Sequence, residues 1–448
     1  MNNILPFPLS FGRLALIAAA FCSFTTLCAQ KAVPVKPRVL ISTDIGGTDP
    51  DDNQSMAHLM MYSDRFRLEG LVSSPSYGSG NKEELLRMIG LYAQDFPRLR
   101  QQAPDLMTPD ALRALCKQGR KGAAPYAGYR TATEGSEWIV QCARRQSDQP
   151  LWILVWGGLD DVAQALHDAP DILPRIRVYW IGGPNKKWST NSYAYLAANF
   201  PNLWMIENNA SYRGFIADNE LEPAWLVGTQ AYDKAAHESN ATYYEACIKG
   251  CGHLGADFAH YYKGNIKMGD TPSLLYLMDG NPADPGRESW GGSFEAMRFS
   301  PRSVFHRNLT VRDTVAVYSL IELHFKGEEI DRPVGTPCFV MTVAKQQWEG
   351  VYAGQGDYVI RYAAKTPEVL DYTIASDYAF LNGQHGTFVV GRQWPGKRTP
   401  DSYELGNHWV TDRQDAELFD GLWQGSRTVS KWRDEVLKDW AKRWNWLR

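Results

Sequence analysis

The sequence predicts an α/β protein: a doubly wound, mostly parallel sheet followed by a small antiparallel β-sandwich. Three observations carry that expectation. From Arg38 to about Met297, short apolar runs alternate with amphipathic stretches at helical spacing, and such alternation builds parallel sheets. Each apolar run ends in a polar turn, usually Gly-rich, and open α/β sheets keep their ligands at the carboxyl ends of their strands. Between about Asp313 and Val390 the apolar period changes to two, the mark of half-buried antiparallel strands.

The elements follow in order. Val39-Leu40-Ile41 reads as a buried strand, followed by a helix over Gln54 to Tyr62. Leu68 to Val72 is the second strand, passing through Gly78-Ser79-Gly80-Asn81 into a helix from Lys82 to Ala93. A helix over Glu134 to Arg145, a strand at Leu151 to Val155 and a helix over Val162 to His167 come next. Ile176 to Ile181 and Leu203 to Ile206 are further strands, closed by Gly182-Gly183-Pro184-Asn185 and Glu207-Asn208-Asn209. These turns are expected to converge on one crevice with Asp44, Asp51 and Asp52. Val315 to Phe325, Cys338 to Val343, Tyr358 to Tyr362, Leu370 to Ile374 and Gly386 to Val390 supply the sandwich, and Trp394 to Pro400 is a loop. Val429, Trp432, Val436, Trp440 and Trp444 then form one stripe of a terminal helix. Such a stripe covers apolar surface, so the chain is expected to return to the α/β core.

Bulk properties narrow the function. The 448 residues exceed what one core usually organises. With 47 Lys+Arg against 50 Asp+Glu, a net charge of -3 and no long run of one sign, nothing calls for nucleic acid. Arg13 precedes the apolar stretch from Leu14, and Leu27-Cys28-Ala29 closes it. That pattern reads as a secretory signal cut after Ala29, too short to span a membrane, so export to the periplasm or the exterior is expected. The expected divisions are residues 1–29 as signal, 30–300 as α/β domain, 313–393 as sandwich and 400–448 as a C-terminal segment. Five cysteines then remain; Cys247 and Cys251, four apart, suit either a disulfide or two buried thiols.

The chemistry concentrates at residues 42 to 52, Ser-Thr-Asp-Ile-Gly-Gly-Thr-Asp-Pro-Asp-Asp. Four carboxylates at one strand end suit a hard cation such as Ca²⁺ or Mg²⁺, whereas a helix cap needs only one. Asp51 also suits a helix cap, as do Asn81 and Asp160, and Asp270 before Thr-Pro suits an ordinary turn.

The motif Asp44-x-Gly46…Asp51-Asp52, taken with the later turns, resembles the inosine-uridine nucleoside hydrolases. More specifically it is similar to the nucleoside-hydrolase-like branch called cellulose-binding Sde182 or DUF1593, over Arg38 to Met297 with the terminal helix included. Val315 to Val390, with Gly350-Val-Tyr-Ala-Gly-Gln-Gly-Asp-Tyr, is similar to DUF5060, an Ig-like domain found beside glycoside hydrolases. The resemblance implies one Ca²⁺. Asp44 would touch it and orient the attacking water as catalytic base, and Asp52 and Asp270 would chelate it, with Asp160 adding a backbone carbonyl. Asp51, Asn81, Glu207 and Asn209 would hold sugar hydroxyls, and Trp290, like Trp156 and Trp188, lies near a strand-end loop where a sugar can stack. Water attacking an oxocarbenium-like centre directly would invert it.

Three departures bear on activity. Ser42 stands where nucleoside hydrolases begin with another Asp, and Asp49 lies in a longer loop. Gly269 stands where many members carry a His that protonates the leaving base; His253, Arg213, Glu222 and Glu288 are candidate replacements. The reading is an exported, calcium-dependent hydrolase of N- or O-ribosyl-like bonds acting on a small glycoside. The alternative is a non-catalytic binder of carbohydrate, such as plant polysaccharide, on the same scaffold.

Overall fold

β1 (Arg38–Thr43) is buried at every position, because a strand covered on both faces needs a continuous apolar run. It pairs in parallel with β2 (Arg67–Ser73), which carries β3 (Cys116–Gln118) on its far side, and with β4 (Leu151–Val155). β5 (Ile176–Ile181) and β6 (Met205–Asn208) continue the sheet in parallel. The strand order β3-β2-β1-β4-β5-β6 reverses direction between β1 and β4, where an open α/β sheet has its crevice. These relations come from a computed structural model in which residues 35–47, 49–216 and 243–448 are described. The expected signal peptide, Cys22, Cys28 and Glu222 lie outside those residues.

Helices cover both faces of the sheet. α1 (Asp51–Met61) begins earlier than the expected Gln54, so Asp51 and Asp52 form its first turn. α2 (Lys82–Gln102) runs past the expected end at Ala93 and accommodates Pro97, because buried Leu99 keeps its inner face packed. α3 (Pro109–Leu115), α4 (Glu134–Arg144), α5 (Asp160–Asp168), α6 (Gly183–Trp188), α7 (Thr190–Asn199), α8 (Gly252–Phe258) and α9 (Thr271–Met278) complete this part. None of the described helices is long and apolar enough to cross a membrane.

β7 (Phe294–Ala296) leads into a short strand β8 (Phe299–Ser300) and then into a second eight-stranded sheet. That sheet holds β9 (Arg302–Phe305), β10 (Thr314–Ala316), β11 (Leu320–Lys326), β12 (Pro337–Val343), β13 (Gln346–Gly354), β14 (Asp357–Ala363), β15 (Val369–Ala375) and β16 (His385–Gly391). Burial alternates along β15 and β16, as the period of two predicts. The expected strand Val315 to Phe325 is two strands, since Tyr318 adopts φ 61° between β10 and β11.

β17 (Tyr403–Glu404) pairs with β8, and β18 (Trp409–Asp412) enters the first sheet, parallel to β6 and antiparallel to β7. α10 (Arg427–Ser430) and α11 (Arg433–Trp444) follow. Trp440 of α11 is fully buried, with its ring 5.1 Å from His58 and 5.9 Å from Phe258. Arg443 holds Asp64 at 2.6 Å. All five described cysteines are free, including Cys247 and Cys251.

Candidate functional site

A cleft of about 600 Å³ opens at the carboxyl ends of the first sheet's strands. Asp44, the first residue beyond β1, lies on its wall. Gly46 turns the chain there at φ 82°, and a Cβ on it would fall 2.7 Å from that of Asn81. A Cβ at Gly157, after β4, would likewise meet Asp44 Cβ at 2.7 Å. Only glycine lets these two loops approach so closely.

Asp51 and Asp52 sit in the first turn of α1, whose N-cap Pro50 offers no side-chain bond; carboxylates there meet the positive end of the helix dipole. Asp270 arrives as the N-cap residue of α9. Carboxyl oxygens of Asp51, Asp52 and Asp270 lie within 4.8 Å of one another. Asp44 hydrogen-bonds Asp52 and Ser76, and Thr43 Oγ1 donates to Asp52. Asp270 Oδ2 is buried without a partner.

Burial pushes Asp52 and Asp270 well above the usual carboxylate range, and the charges of their neighbours add to it. Burial also raises Asp44, to about 6, against the hydrogen bonds from Asp52 and Ser76. Asp49 differs: burial raises it, but Lys267 at 2.7 Å and Tyr262 more than offset that. Carboxylates packed this closely do not all ionise unless a cation neutralises them. An oxygen-only donor set with an orphaned Asp270 Oδ2 fits a hard cation such as Ca²⁺.

The other expected residues divide between the cleft wall and positions off it. Asn81 caps α2, accepting the Glu83 N–H at 3.0 Å. The Asp160 carboxylate accepts from Ala124 N at 2.6 Å and from Ser189 and Ser192. Glu207 is fully buried; it pairs with Lys186 and accepts from Tyr193 Oη, Trp409 Nε1 and Asn209 Nδ2, each at 2.9 Å. Asn209 accepts from Gly183 N at 2.8 Å, buttressing the turn after β5. Trp290 packs against the hydrophobic core. Trp156 lies on the cleft but is 1% exposed, its indole bound to Ser273 at 2.8 Å. Of the candidate acids, His253 binds Asp95 and Glu288 pairs with Lys431, both off the cleft wall, while Arg213 lies on it.

Several wall residues had no signal in the sequence. His260, Tyr262 and Lys267 come from the segment between α8 and α9, and Tyr212 follows β6. A Cβ on Gly269 would lie 3.3 Å from the Tyr212 ring, so Tyr212 borders the space a larger residue there would claim. Tyr77 and Trp188, both on the cleft wall, pack against each other with ring centres 5.0 Å apart. Gln346, the first residue of β13, and Lys365, just beyond β14, reach the same wall from the second sheet.

The family described as "Cellulose-binding Sde182, nucleoside hydrolase-like domain" matches residues 38–294. Among solved structures, a nucleoside hydrolase-related hypothetical protein from Saccharophagus degradans, associated with carbohydrate metabolism, is 17% identical over 80% of this chain and 100% of its own, with a TM-score of 0.48. The inosine-uridine preferring nucleoside hydrolase of Bacillus anthracis is 15% identical over 60% of this chain and 87% of its own, TM-score 0.34. A putative glycoside hydrolase from Bacteroides vulgatus is 29% identical over 18% of this chain and 16% of its own, TM-score 0.16. Comparison with curated proteins gives no match.

Proposed function

We propose that this chain, which belongs to the Sde182 nucleoside hydrolase-like family, is an exported, calcium-dependent hydrolase of ribosyl-like or related glycosidic bonds. The observation that carries the reading is the carboxylate cluster, where Asp51, Asp52 and Asp270 meet beside Asp44 with Asp270 Oδ2 unpartnered. Asp51, Asp52 and Asp270 would hold the ion, with Asp44 at its edge. Bound there, Ca²⁺ supplies an anchor for sugar hydroxyls and for water.

The chain's own groups do the rest. Asp44 takes the proton as the water oxygen bonds to the anomeric carbon, a role supported by its opening on the cleft beside the carboxylate cluster. The bond to the leaving group breaks with its electron pair on the departing atom, and His260, the histidine on the cleft wall among the described residues, offers a proton there. Tyr77 and Trp188 provide ring faces for a sugar. The test is hydrolysis of a panel of nucleosides and aryl glycosides. Wild-type protein with Ca²⁺ turns over at least one of them. Asp44→Asn or chelation lowers that rate at least about a hundredfold, and undiminished turnover in both refutes the reading.

The Tyr77–Trp188 pair also supports a second reading, in which the cleft grips carbohydrate without cleaving it. Saccharide binding by calorimetry with no turnover across the panel decides for it.

A further inference from the structure

A second cavity of about 330 Å³ lies beside the cleft, and Gln346 and Lys365 stand on the walls of both. Small-molecule sites run upward from about 300 Å³, so this space is large enough for one more sugar ring. Hydrogen-bonding groups line it, among them Lys187, Thr366 and Glu368, with Tyr362 as its aromatic member.

The wall of the main cleft carries two polar atoms that a saccharide would complete. Trp188 Nε1 is a buried donor with no acceptor, and Gln346 Oε1 is a buried acceptor with no donor. Leaving such groups unmet costs stability. A hydroxyl both donates and accepts, so the hydroxyls of a sugar lying along this wall can satisfy both atoms.

The second sheet holds this wall in place. Gln346 pairs with Val343 across the two-residue turn Ala344–Lys345, whose residues adopt φ 49° and 60°, the left-handed backbone that hairpin turns of this length use. Trp348 Nε1 donates to the Lys187 carbonyl of α6 at 3.5 Å. Arg361 of β14 donates to the Tyr126 carbonyl at 2.8 Å, with its guanidinium 3.8 Å from the centre of that ring. Groups carried on paired strands and tied to the first sheet's connections are set before a ligand arrives.

We infer that the second sheet supplies a further sugar subsite, built on Gln346 with Trp188, so that the ligand is an oligosaccharide reaching from the carboxylate cluster into the second cavity rather than a nucleoside. This names a ligand class for the glycoside reading and rests on that reading for the ring at the carboxylates.

The test is calorimetry on the full chain in Ca²⁺ with mono- to tetrasaccharides of the cello-, xylo- and galacto-oligosaccharide series, and with inosine and uridine. In at least one series affinity should rise about tenfold or more beyond the first ring. Gln346→Ala removes the acceptor and should erase most of that gain; Gln346→Trp fills the junction between the two spaces and should do the same. Thermal melts check that both variants fold. No gain beyond the first ring in any series, a gain undiminished in both variants, or nucleosides bound more tightly than every oligosaccharide overturns the subsite. Turnover is read in the same samples: length-dependent affinity without hydrolysis removes the glycosidase reading and keeps the subsite, whereas hydrolysis with no dependence of affinity on length does the reverse.

Discussion

Glu207→Gln tests whether this carboxylate holds the fold together or meets a ligand. In the structure Glu207 and Lys186 are both 0% exposed and paired. Lys186 Nζ otherwise faces rings, 4.0 Å from the centre of Tyr193 and 3.9 Å from that of Trp394. Removing one partner of a buried pair costs about 3–5 kcal/mol. The loss has a ceiling, because a stranded lysine sheds its proton. At about 1.4 kcal/mol per unit, over the roughly three units between pH 7 and lysine's ordinary pKa, neutralising it costs no more than about 5 kcal/mol. Burial already draws Lys186 down to about 8 against the pull of Glu207.

Denaturant unfolding followed by tryptophan fluorescence should therefore show a loss of about 3–5 kcal/mol at pH 7. The deficit should narrow as pH rises from 7 toward 8, since the unfolded variant then holds a proton the folded one lacks, and stability rises with pH in that condition. Lys186→Met added to Glu207→Gln should recover part of the loss, as apolar replacements of buried pairs often do. The reasoning fails if Glu207→Gln unfolds within about 1 kcal/mol of wild type yet loses saccharide binding.

Asp270→Asn removes a carboxyl group that burial, and then its acidic neighbours, hold well above its ordinary range, so the metal-free protein should melt higher at neutral pH while the rise in Tm on adding Ca²⁺ disappears; calorimetric melts with and without Ca²⁺ check both. His324 bonds Glu322 at 3.0 Å and Asp357 at 2.8 Å, and the bond to Glu322 first, then Asp357, raises its pKa against burial. Its contribution to stability is then full below about pH 6.5 and lost as pH rises through the raised folded value. His324→Asn should flatten that part of the unfolding profile. Trp440→Ala should cost about 3–5 kcal/mol in denaturant unfolding, because its buried ring packs against His58, Phe258 and Trp444; a loss under about 1 kcal/mol would mean that α11 does not seal this face.

What was readable in the chain followed from local periodicity. The continuous burial of β1 and β4 and the alternation of β15 and β16 are direct images of apolar runs and period two. β18 escaped, because Trp-Val-Thr-Asp is short and mixed, and only insertion between β6 and β7 buries all of it. Its last residue matters to the site's architecture: Asp412 accepts the N–H groups of Asn209, Ala210 and Ser211 and shapes the turn after β6.

The same division runs through the site. Asp44, Asp51 and Asp52 share one strand end, so spacing along the chain was enough to group them, and a family resemblance added Asp270. Side-chain direction was not in the pattern. Asn81, Asp160, Glu207 and Asn209 lie beside strand ends as expected, yet each side chain follows the nearest partner it satisfies: a helix N–H, the loop at Ala124, Lys186, and the turn at Gly183. His260, Lys267, Gln346 and Lys365 come together only because distant segments pack around one cleft. Periodicity and residue type, being local, determined the layers and the acidic strand end; which groups face the cleft depends on contacts between segments far apart in the chain, and tertiary packing alone decided it.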